Sequence, residues 1–220
     1  MNKDRFFFFG FGQTAKYLIK NLEQSKKKFT FSATNTKKTT LKTFGKKKFL
    51  SFKFKDKFYD KKLIKMFSDA DYILVSIPPQ KKRDLVLKIF NKFLKKSKFK
   101  KLIYLSATSV YGNHNGKWVN ENSKLKGNTK FGLGRKIVEK SWIKFRDLYN
   151  LDINILRVSG IYSKESNVLK KISKKSVYVK EKKYFSRIRI EDLAQIIKKM
   201  FYSQKSSLIL NASDDKPATN

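Results

Sequence analysis

A chain of 220 residues with a formal net charge of +36 is long enough for one domain with a sizeable core. It has no Cys, one His and 17 scattered acidic residues, which excludes a Cys/His metal site. Such a positive charge is typical of partners of nucleic acid or anionic membranes. However, 46 of the 53 basic residues are lysine, whereas proteins that read bases and phosphates favour arginine. Residues with A/T-rich codons make up half of the chain, so genomic bias explains most of the lysine and we expect no specific nucleic-acid partner.

The apolar run "FFFFGFG" near the amino terminus is the candidate for a targeting or membrane segment. It is too short for a signal-peptide core or a membrane span, and charges flank it. The sequence therefore predicts a soluble, cytoplasmic protein with no membrane partner.

Apolar runs and helical spacings alternate along the first 162 residues. Phe6–Phe9 is a continuous apolar run ended by glycines, which predicts a buried parallel strand. Further strands are predicted at 28–34, 48–54, 71–79, 101–112 and 152–162, and helices over 15–22, 63–67, 81–94 and from Phe131 onward. Strands and helices in alternation with short connections favour a Rossmann-like α/β fold, a doubly wound parallel sheet covered on both faces.

The last third of the chain breaks this alternation. We expect a short helix near 167–172, a strand pair near 176–188, a helix at 192–201 and a strand at 208–211. The predicted division is a nucleotide-binding core at 1–162 and a small, interleaved substrate lobe at 163–220, which is incomplete if the chain is a fragment.

The first strand is followed by a glycine pattern. Gly10, Gly12 and Ala15 form G-x-G-x-x-G/A between a strand and an amphipathic helix, with Gln13 and Thr14 at the helix start. In a dinucleotide site the first glycine makes the tight turn, the second lets the backbone approach a pyrophosphate, and the small third residue packs the helix on the strand. The alternative is a glycine turn with no nucleotide.

The choice of cofactor is read where the second strand ends. An NAD site usually has Asp or Glu there, to hold the ribose hydroxyls. No acidic residue occurs between Gln24 and Lys55, and the strand ends at Thr34 just before Lys37 and Lys38, which suit a 2′-phosphate. We therefore expect NADP in preference to NAD.

Several stretches together resemble the extended short-chain dehydrogenases/reductases, the NAD(P)-dependent epimerase/dehydratase group, and within it an atypical bacterial subgroup of poorly defined activity. They are "GFGQTAKYL", "LVSIPP", "YLSATSVYGNHNGKWVNENS", "FGLGRKIVEKSW", "LRVSGIY", "FSRIRIEDLAQII" and "NASDDKPAT". The resemblance covers nearly the whole chain. It implies a small-molecule substrate, such as a sugar nucleotide, and leaves a homodimer open. It also implies cofactor contacts at Ser76, Ile77, Pro78, Ser106 and Arg135.

The family's catalytic set is a Ser or Thr after the fifth strand and a Tyr-x-x-x-Lys helix, in which the tyrosine transfers a proton. By this resemblance Ala107 replaces the Ser/Thr, Phe131 the tyrosine and Arg135 the lysine, while Glu139 matches the pattern. A phenyl ring cannot exchange a proton, but Arg135 can still hold a ribose or a phosphate.

Replacement acids must come from nearby. Thr108 and Tyr111 are the nearest candidates by sequence, and His114 is a weaker one because it lies in an Asn/Gly-rich turn. Tyr111 equally suits simple packing at a strand end. Three functions stay open: an NAD(P)-dependent oxidoreductase or epimerase, a catalytically inactive NAD(P)-binding sensor or scaffold, and a nucleic-acid-binding protein.

Overall fold

The computed structural model describes residues 3–25, 27–165 and 184–219. The strands are β1 (Asp4–Phe9), β2 (Phe29–Asn35), β3 (Thr40–Phe44), β4 (Lys47–Lys55), β5 (Phe58–Tyr59), β6 (Tyr72–Val75), β7 (Lys101–Ala107), β8 (Ile153–Val158), β9 (Gly160–Tyr162), β10 (Tyr184–Phe185), β11 (Arg187–Arg189), β12 (Ile209–Ala212) and β13 (Ala218–Thr219). The helices are α1 (Gln13–Gln24), α2 (Lys62–Ser68), α3 (Leu85–Leu94), α4 (Lys130–Tyr149) and α5 (Ile190–Phe201), with a 3₁₀ turn at Thr108–Val110.

One large sheet organises the molecule. Its strand order is β12-β8-β7-β6-β1-β2-β4-β3, with β5 attached to β4. Every neighbouring pair from β12 to β4 is parallel, and β3 and β5 pair with β4 in the antiparallel sense. The carboxyl ends of the parallel strands therefore lie along a single edge of the sheet.

Helices cover both faces of this sheet. Phe6 and Phe8 of β1 pack into a core with α1 and α5, whereas Phe7 and Phe9 pack into a second core with α2, α3 and α4. The ring centroids of Phe6 and Phe201 of α5 are 5.6 Å apart. The predicted doubly wound α/β fold is confirmed.

The hairpin of β3 and β4 was not predicted in full. The sequence predicts only its second strand, because Thr40–Phe44 is largely exposed and carries no apolar alternation. The edge strand nevertheless has a packing role, since Phe44 meets the ring of Phe11 at a centroid distance of 5.6 Å. Phe11 lies between the two predicted cofactor glycines, so the hairpin supports the glycine turn.

The predicted strand over 152–162 is wrong in one respect. Ser159 interrupts it, and β9 leaves the main sheet to pair with β11 while β8 stays in place. Of the predicted strand pair near 176–188, β10 and β11 are seen, but β10 pairs with β13 instead of β11. Residues 176–183, like the helix predicted near 167–172, lie outside the described residues.

Some of the carboxyl-terminal elements belong to the main sheet and its core, and others form small separate sheets. The strand β12 pairs with β8 in the main sheet, and α5 covers one sheet face beside α1. The short pairs of β9 with β11 and β10 with β13 form separate two-stranded sheets. A boundary between core and lobe at residue 162 stays a prediction.

Candidate nucleotide site

The turn between β1 and α1 has a backbone that only glycine adopts easily. Gly10 has φ +95°, and a Cβ placed there would lie 2.8 Å from the Ser76 Oγ. The Gly10 amide donates to the Thr34 Oγ1 at 2.8 Å, and the Ser76 hydroxyl donates to the Phe9 carbonyl at 3.1 Å. The structure thus brings together Gly10, Thr34 and Ser76, predicted from three separate stretches, at the ends of three adjacent strands.

Gly12 is the N-cap of α1, and the space beside it is open. No side chain caps the helix and its first turn has no acidic residue. A Cβ added at Gly12 would have no atom of the described part of the chain within 4 Å. Ala15 is buried, as the glycine pattern predicts, and Thr14, a predicted cofactor contact, is buried as well. A helix N-terminus with unpaired amides and free space fits the pyrophosphate of a dinucleotide.

The end of β2 offers cations instead of a carboxylate. The last residue, Asn35, uses its side chain within its own turn: its Oδ1 accepts from the Lys37 amide at 2.7 Å, and its Nδ2 donates to the Ser51 carbonyl at 2.9 Å. Lys37 and Lys38 are exposed. A shallow cavity of about 410 Å³ adjoins Lys38, and its lining is Lys38, Thr39, Lys53, Lys57, Phe58, Tyr59 and Asp60. Sequence reasoning missed Lys53 and Lys57, because the β4–β5 hairpin that places them there was not predicted.

At the end of β7, the predicted Ser106 is buried and Thr108 is half-exposed. The Ser106 Oγ has no hydrogen-bond partner among the described residues. Ala107, at the position of the family's hydroxyl residue, is half-exposed at the same edge. Ile77 and Pro78 follow β6, the neighbouring strand, and are half-exposed and exposed.

The helix α4 begins beside this edge. The Thr129 hydroxyl caps it by accepting from the Gly132 amide at 3.1 Å. Phe131 is 78% exposed, so its ring belongs to the protein surface and not to the core. Arg135 points back toward β7, where its Nη1 donates to the Leu105 carbonyl at 2.7 Å.

Asp84, at the start of α3, is a buried carboxylate that the sequence analysis did not single out. Its Oδ1 accepts from the Leu87 amide at 2.8 Å and caps the helix. Burial raises the pKa of Asp84 to about 6, although the Leu87 amide and the positive charge of Arg135 both favour the ionised form. The N-cap position just before an apolar run was the available signal for it.

A second group of buried polar residues joins α4 to β8, on the sheet face that α4 covers. Arg157 of β8 forms an ion pair with Glu139 of α4, with Nη2 and Oε2 3.0 Å apart. Its Nη1 donates to the Tyr111 hydroxyl at 2.9 Å. Burial alone would lower the pKa of Arg157, but the hydrogen bonds and charge of Glu139 raise it. Tyr111, a predicted acid, is thus 3% exposed and already hydrogen-bonded.

His114, the weaker candidate, belongs to the loop that follows Tyr111. Its Nε2 lies 3.0 Å from the Lys124 carbonyl in the same loop. Within residues 3–25, 27–165 and 184–219, no group of three or more His, Cys, Asp or Glu could hold a metal ion. No helix in these ranges is long and apolar enough to cross a membrane.

Comparison with known proteins then decides the family. A sequence model of the NAD dependent epimerase/dehydratase family matches residues 84–201, more than half of the chain. The chain belongs to this family. A comparison with curated proteins finds no match.

Solved structures share the epimerase/dehydratase fold over nearly the whole chain. A functionally unknown conserved protein from Silicibacter pomeroyi is 23% identical with a TM-score of 0.81, covering 98% of this chain and 74% of the other. The UDP-N-acetylglucosamine 4-epimerase of Methanobrevibacter ruminantium, in complex with UDP-N-acetylmuramic acid, is 16% identical with a TM-score of 0.77. The match covers 99% of this chain and 78% of the epimerase. The UDP-glucuronic acid 4-epimerase of Bacillus cereus, in complex with NAD, is 16% identical with a TM-score of 0.77. The match covers 98% of this chain and 80% of the epimerase.

The predicted site residues fall into two groups in this epimerase/dehydratase fold. The predicted cofactor residues adjoin the carboxyl edge: Gly10, Gly12, Gln13, Thr14, Ala15, Thr34, Lys37, Lys38, Ser76, Ile77, Pro78 and Ser106. Of the predicted catalytic residues, Thr108 has a half-exposed hydroxyl, while Arg135 and Tyr111 make the protein contacts given above. Their roles stay predictions.

The raised pKa of Asp84 predicts a specific pH response. As the pH falls from 7 to 5, the folded protein takes up a proton at Asp84 that the unfolded chain, with a pKa near 3.8, does not. The free energy of unfolding of the parent should therefore rise by about 1 kcal/mol relative to Asp84→Asn over this interval. Urea unfolding at both pH values measures it.

The control for this experiment is Asp147→Asn, which removes an exposed carboxylate near the end of α4. It measures how much the loss of an exposed carboxylate, in a chain of high positive charge, changes the pH dependence of the free energy of unfolding. A difference between parent and Asp84→Asn that stays constant from pH 7 to pH 5 would contradict the raised pKa.

Proposed function

We propose that the chain is an NADP(H)-binding member of the epimerase/dehydratase family. The observation that carries this proposal is the N-terminus of α1, which no described side chain caps and which has open space beside Gly12. It follows a turn whose backbone at position 10 favours glycine. These features suit backbone contact with a pyrophosphate. The family match and the NAD complex of a fold neighbour support the same reading.

The preference for NADP over NAD rests on the end of β2. The Asn35 side chain is committed to its own turn and no acidic residue lies between Gln24 and Lys55, so nothing there suits a pair of ribose hydroxyls. Lys37 and Lys38 are exposed at the same place and suit the charge of a 2′-phosphate.

The reaction is the second part of the proposal. When bound, a nicotinamide cofactor supplies hydride chemistry, and the protein must supply proton transfer and orientation. By family resemblance the proton donor is replaced by Phe131 and the orienting hydroxyl by Ala107. Arg135 is always charged, and it already donates to the Leu105 carbonyl. We infer that the usual proton-transfer route of the family is closed in this chain.

Two functions follow for an unidentified small-molecule substrate or ligand, such as a sugar nucleotide. One is an oxidoreductase or epimerase that uses another acid, for which Thr108 has the half-exposed hydroxyl. The other is an NADP(H)-binding sensor or scaffold without turnover. The loss of the proton donor at Phe131 favours the sensor or scaffold. Specific nucleic-acid binding has the least support, because the basic excess is nearly all lysine.

The first prediction here concerns Gly12→Ala. The new methyl group meets no atom of the described residues, so the free energy of unfolding should change by less than about 1 kcal/mol. The same methyl group fills the space beside the helix amides, and NADPH affinity should fall by at least about a hundredfold, as expected where backbone must approach pyrophosphate. Calorimetric titration and urea unfolding measure the two effects.

The matched control is Gly160→Ala in β9, where a Cβ makes only ordinary contacts and lies on another strand. It should bind NADPH like the parent. NADPH binding by Gly12→Ala with parental affinity would place the nucleotide elsewhere, and failure of the parent to bind NADPH or NADH would remove the site altogether.

The second prediction concerns cofactor choice. NADPH should bind at least about tenfold more tightly than NADH, in line with a charge-assisted contact to the extra phosphate. Replacing both Lys37 and Lys38 with Met should weaken NADPH and leave NADH unchanged. The control replaces Lys46 and Lys48 of the β3–β4 hairpin, which removes the same charge from an exposed position. Equal or tighter binding of NADH by the parent would overturn the preference.

The third prediction concerns turnover. General acid–base assistance contributes about a hundredfold to ten-thousandfold in rate, so the parent should show negligible turnover of UDP-sugars with NADP(H) or NAD(H) bound. The combined variant Phe131→Tyr, Arg135→Lys and Ala107→Ser should gain measurable activity, followed by nucleotide absorbance and product chromatography.

Robust hydride transfer by the parent would refute the closed route. If that transfer persisted when Thr108, Tyr111 and His114 were each replaced, the catalytic site would lie elsewhere. Its loss in Tyr111→Phe alone, with the amides of residues 112–126 as protected as in the parent, would identify Tyr111 as the acid.

A further inference from the structure

Arg157 is the next-to-last residue of β8, a strand whose other residues are apolar except for Asn154, and it is buried on the same side as α4. Its Nε and Nη2 both donate to the carboxylate of Glu139, at 3.0 to 3.3 Å. A buried ion pair of this kind is costly to assemble and is weak evidence of a contribution to stability. Its presence therefore calls for another role.

The remaining amino group of Arg157 contacts the loop that follows β7. Its Nη1 donates to the Tyr111 hydroxyl at 2.9 Å and to the Glu121 carbonyl at 3.0 Å. The Tyr111 hydroxyl donates in turn to the Asn211 Oδ1 of β12 at 2.7 Å. The backbone amide of Asn211 donates to the Glu121 Oε1 at 2.6 Å, so Asn211 and Arg157 both hold Glu121.

The two ends of the loop of residues 111–127 lie in contact with each other. The Lys126 amide donates to the Tyr111 carbonyl at 2.9 Å, and a Cβ on Gly112 would lie 2.7 Å from the Lys126 backbone. Glu121 lies near the middle of the loop, where Arg157 and Asn211 hold it. Trp118, close by, is 78% exposed. This loop lies at the edge where ligands of open α/β sheets bind.

We propose that Arg157 is a positioning residue, which fixes the 111–127 loop over the carboxyl edge of the sheet through Tyr111 and Glu121. In this role Tyr111 is part of the loop anchor and not a proton donor. A tyrosine hydroxyl has one hydrogen to donate, and Asn211 receives it. The inference goes beyond cofactor binding and does not depend on it.

Arginine is required because of its shape. The guanidinium carries five N–H donors in a planar fork, so it can hold a carboxylate on one side and two oxygens on the other. Lysine retains the charge opposite Glu139 but has a compact ammonium group that cannot hold Glu139, Tyr111 and Glu121 at their present separations. Arg157→Lys therefore separates charge compensation from anchoring.

The test is hydrogen exchange of backbone amides, read by mass spectrometry on the full chain. In Tyr111→Phe and in Arg157→Lys, amides of residues 112–126 should exchange at least about tenfold faster, the effect of losing one or two hydrogen bonds. Amides of β7 and β8 should keep parental protection. The fluorescence anisotropy of Trp118 should fall, whereas Trp142 is fully buried and provides a constant background.

The matched control is Tyr104→Phe, on the strand that precedes the loop. The Tyr104 hydroxyl is buried and takes no part in the hydrogen bonds that link Arg157, Tyr111 and Asn211, so its removal should leave the loop as protected as in the parent. Because Tyr111→Phe retains the ion pair and the ring, it is expected to fold even if a variant of Arg157 does not.

Two outcomes would overturn the proposal. Loop exchange in Tyr111→Phe equal to that of the parent and of Tyr104→Phe would show that the hydroxyl anchors nothing. Faster exchange spread equally over β7, β8 and the loop would make Arg157 a general core residue. NADPH affinity, measured on the same samples, reports on the proposed cofactor site separately, so failure of one does not imply failure of the other.

Discussion

Four consecutive phenylalanines in β1 set the constraint on which the rest of the fold depends. An extended strand directs alternate side chains to opposite faces, so Phe6 and Phe8 need an apolar cover on one side of the sheet, and Phe7 and Phe9 need one on the other. A two-layer arrangement would leave two of these rings in water. Helices on both faces meet the requirement, and they impose parallel strands because each helix returns the chain to the same end.

That constraint also determines where a ligand site lies. With β1 at the centre and parallel neighbours on both sides, the ends of β1, β2 and β6 converge at one edge, where Gly10, Thr34 and Ser76 meet. Gly10 needs its positive φ because the chain turns directly from β1 into α1. It also needs to lack a Cβ because the Ser76 side chain packs against it. Packing explains Gly10, but it does not explain Gly12, which has free space around it. The second glycine is the feature that points to a ligand.

The sequence predicts those parts of the molecule that depend on local pattern. Buried strands and amphipathic helices repeat their signal every two or every three to four residues, so β1, β6, β7 and α4 could be located without coordinates. The edge strand β3 is exposed and has no such period. The contacts of Arg157 join residues that are 18 and 46 positions apart, and no local pattern records which partners a residue meets across the fold. The available signal was an arginine near the end of a strand that is otherwise apolar except for Asn154.

The two halves of the site differ in what they require from the sequence. The nucleotide binding that we propose at Gly12 would use backbone amides and the absence of a side chain, so it would be insensitive to the lysine-rich and phenylalanine-rich composition of this chain. Proton transfer requires a particular hydroxyl at a particular place, and Phe131 and Ala107 lack it. Arg135 and Tyr111, two of the polar groups that the sequence analysis placed in the site, direct their hydrogen bonds to the protein. The geometry therefore favours a protein that keeps the family's nucleotide-binding turn while the polar groups around it hold the surrounding loop in place.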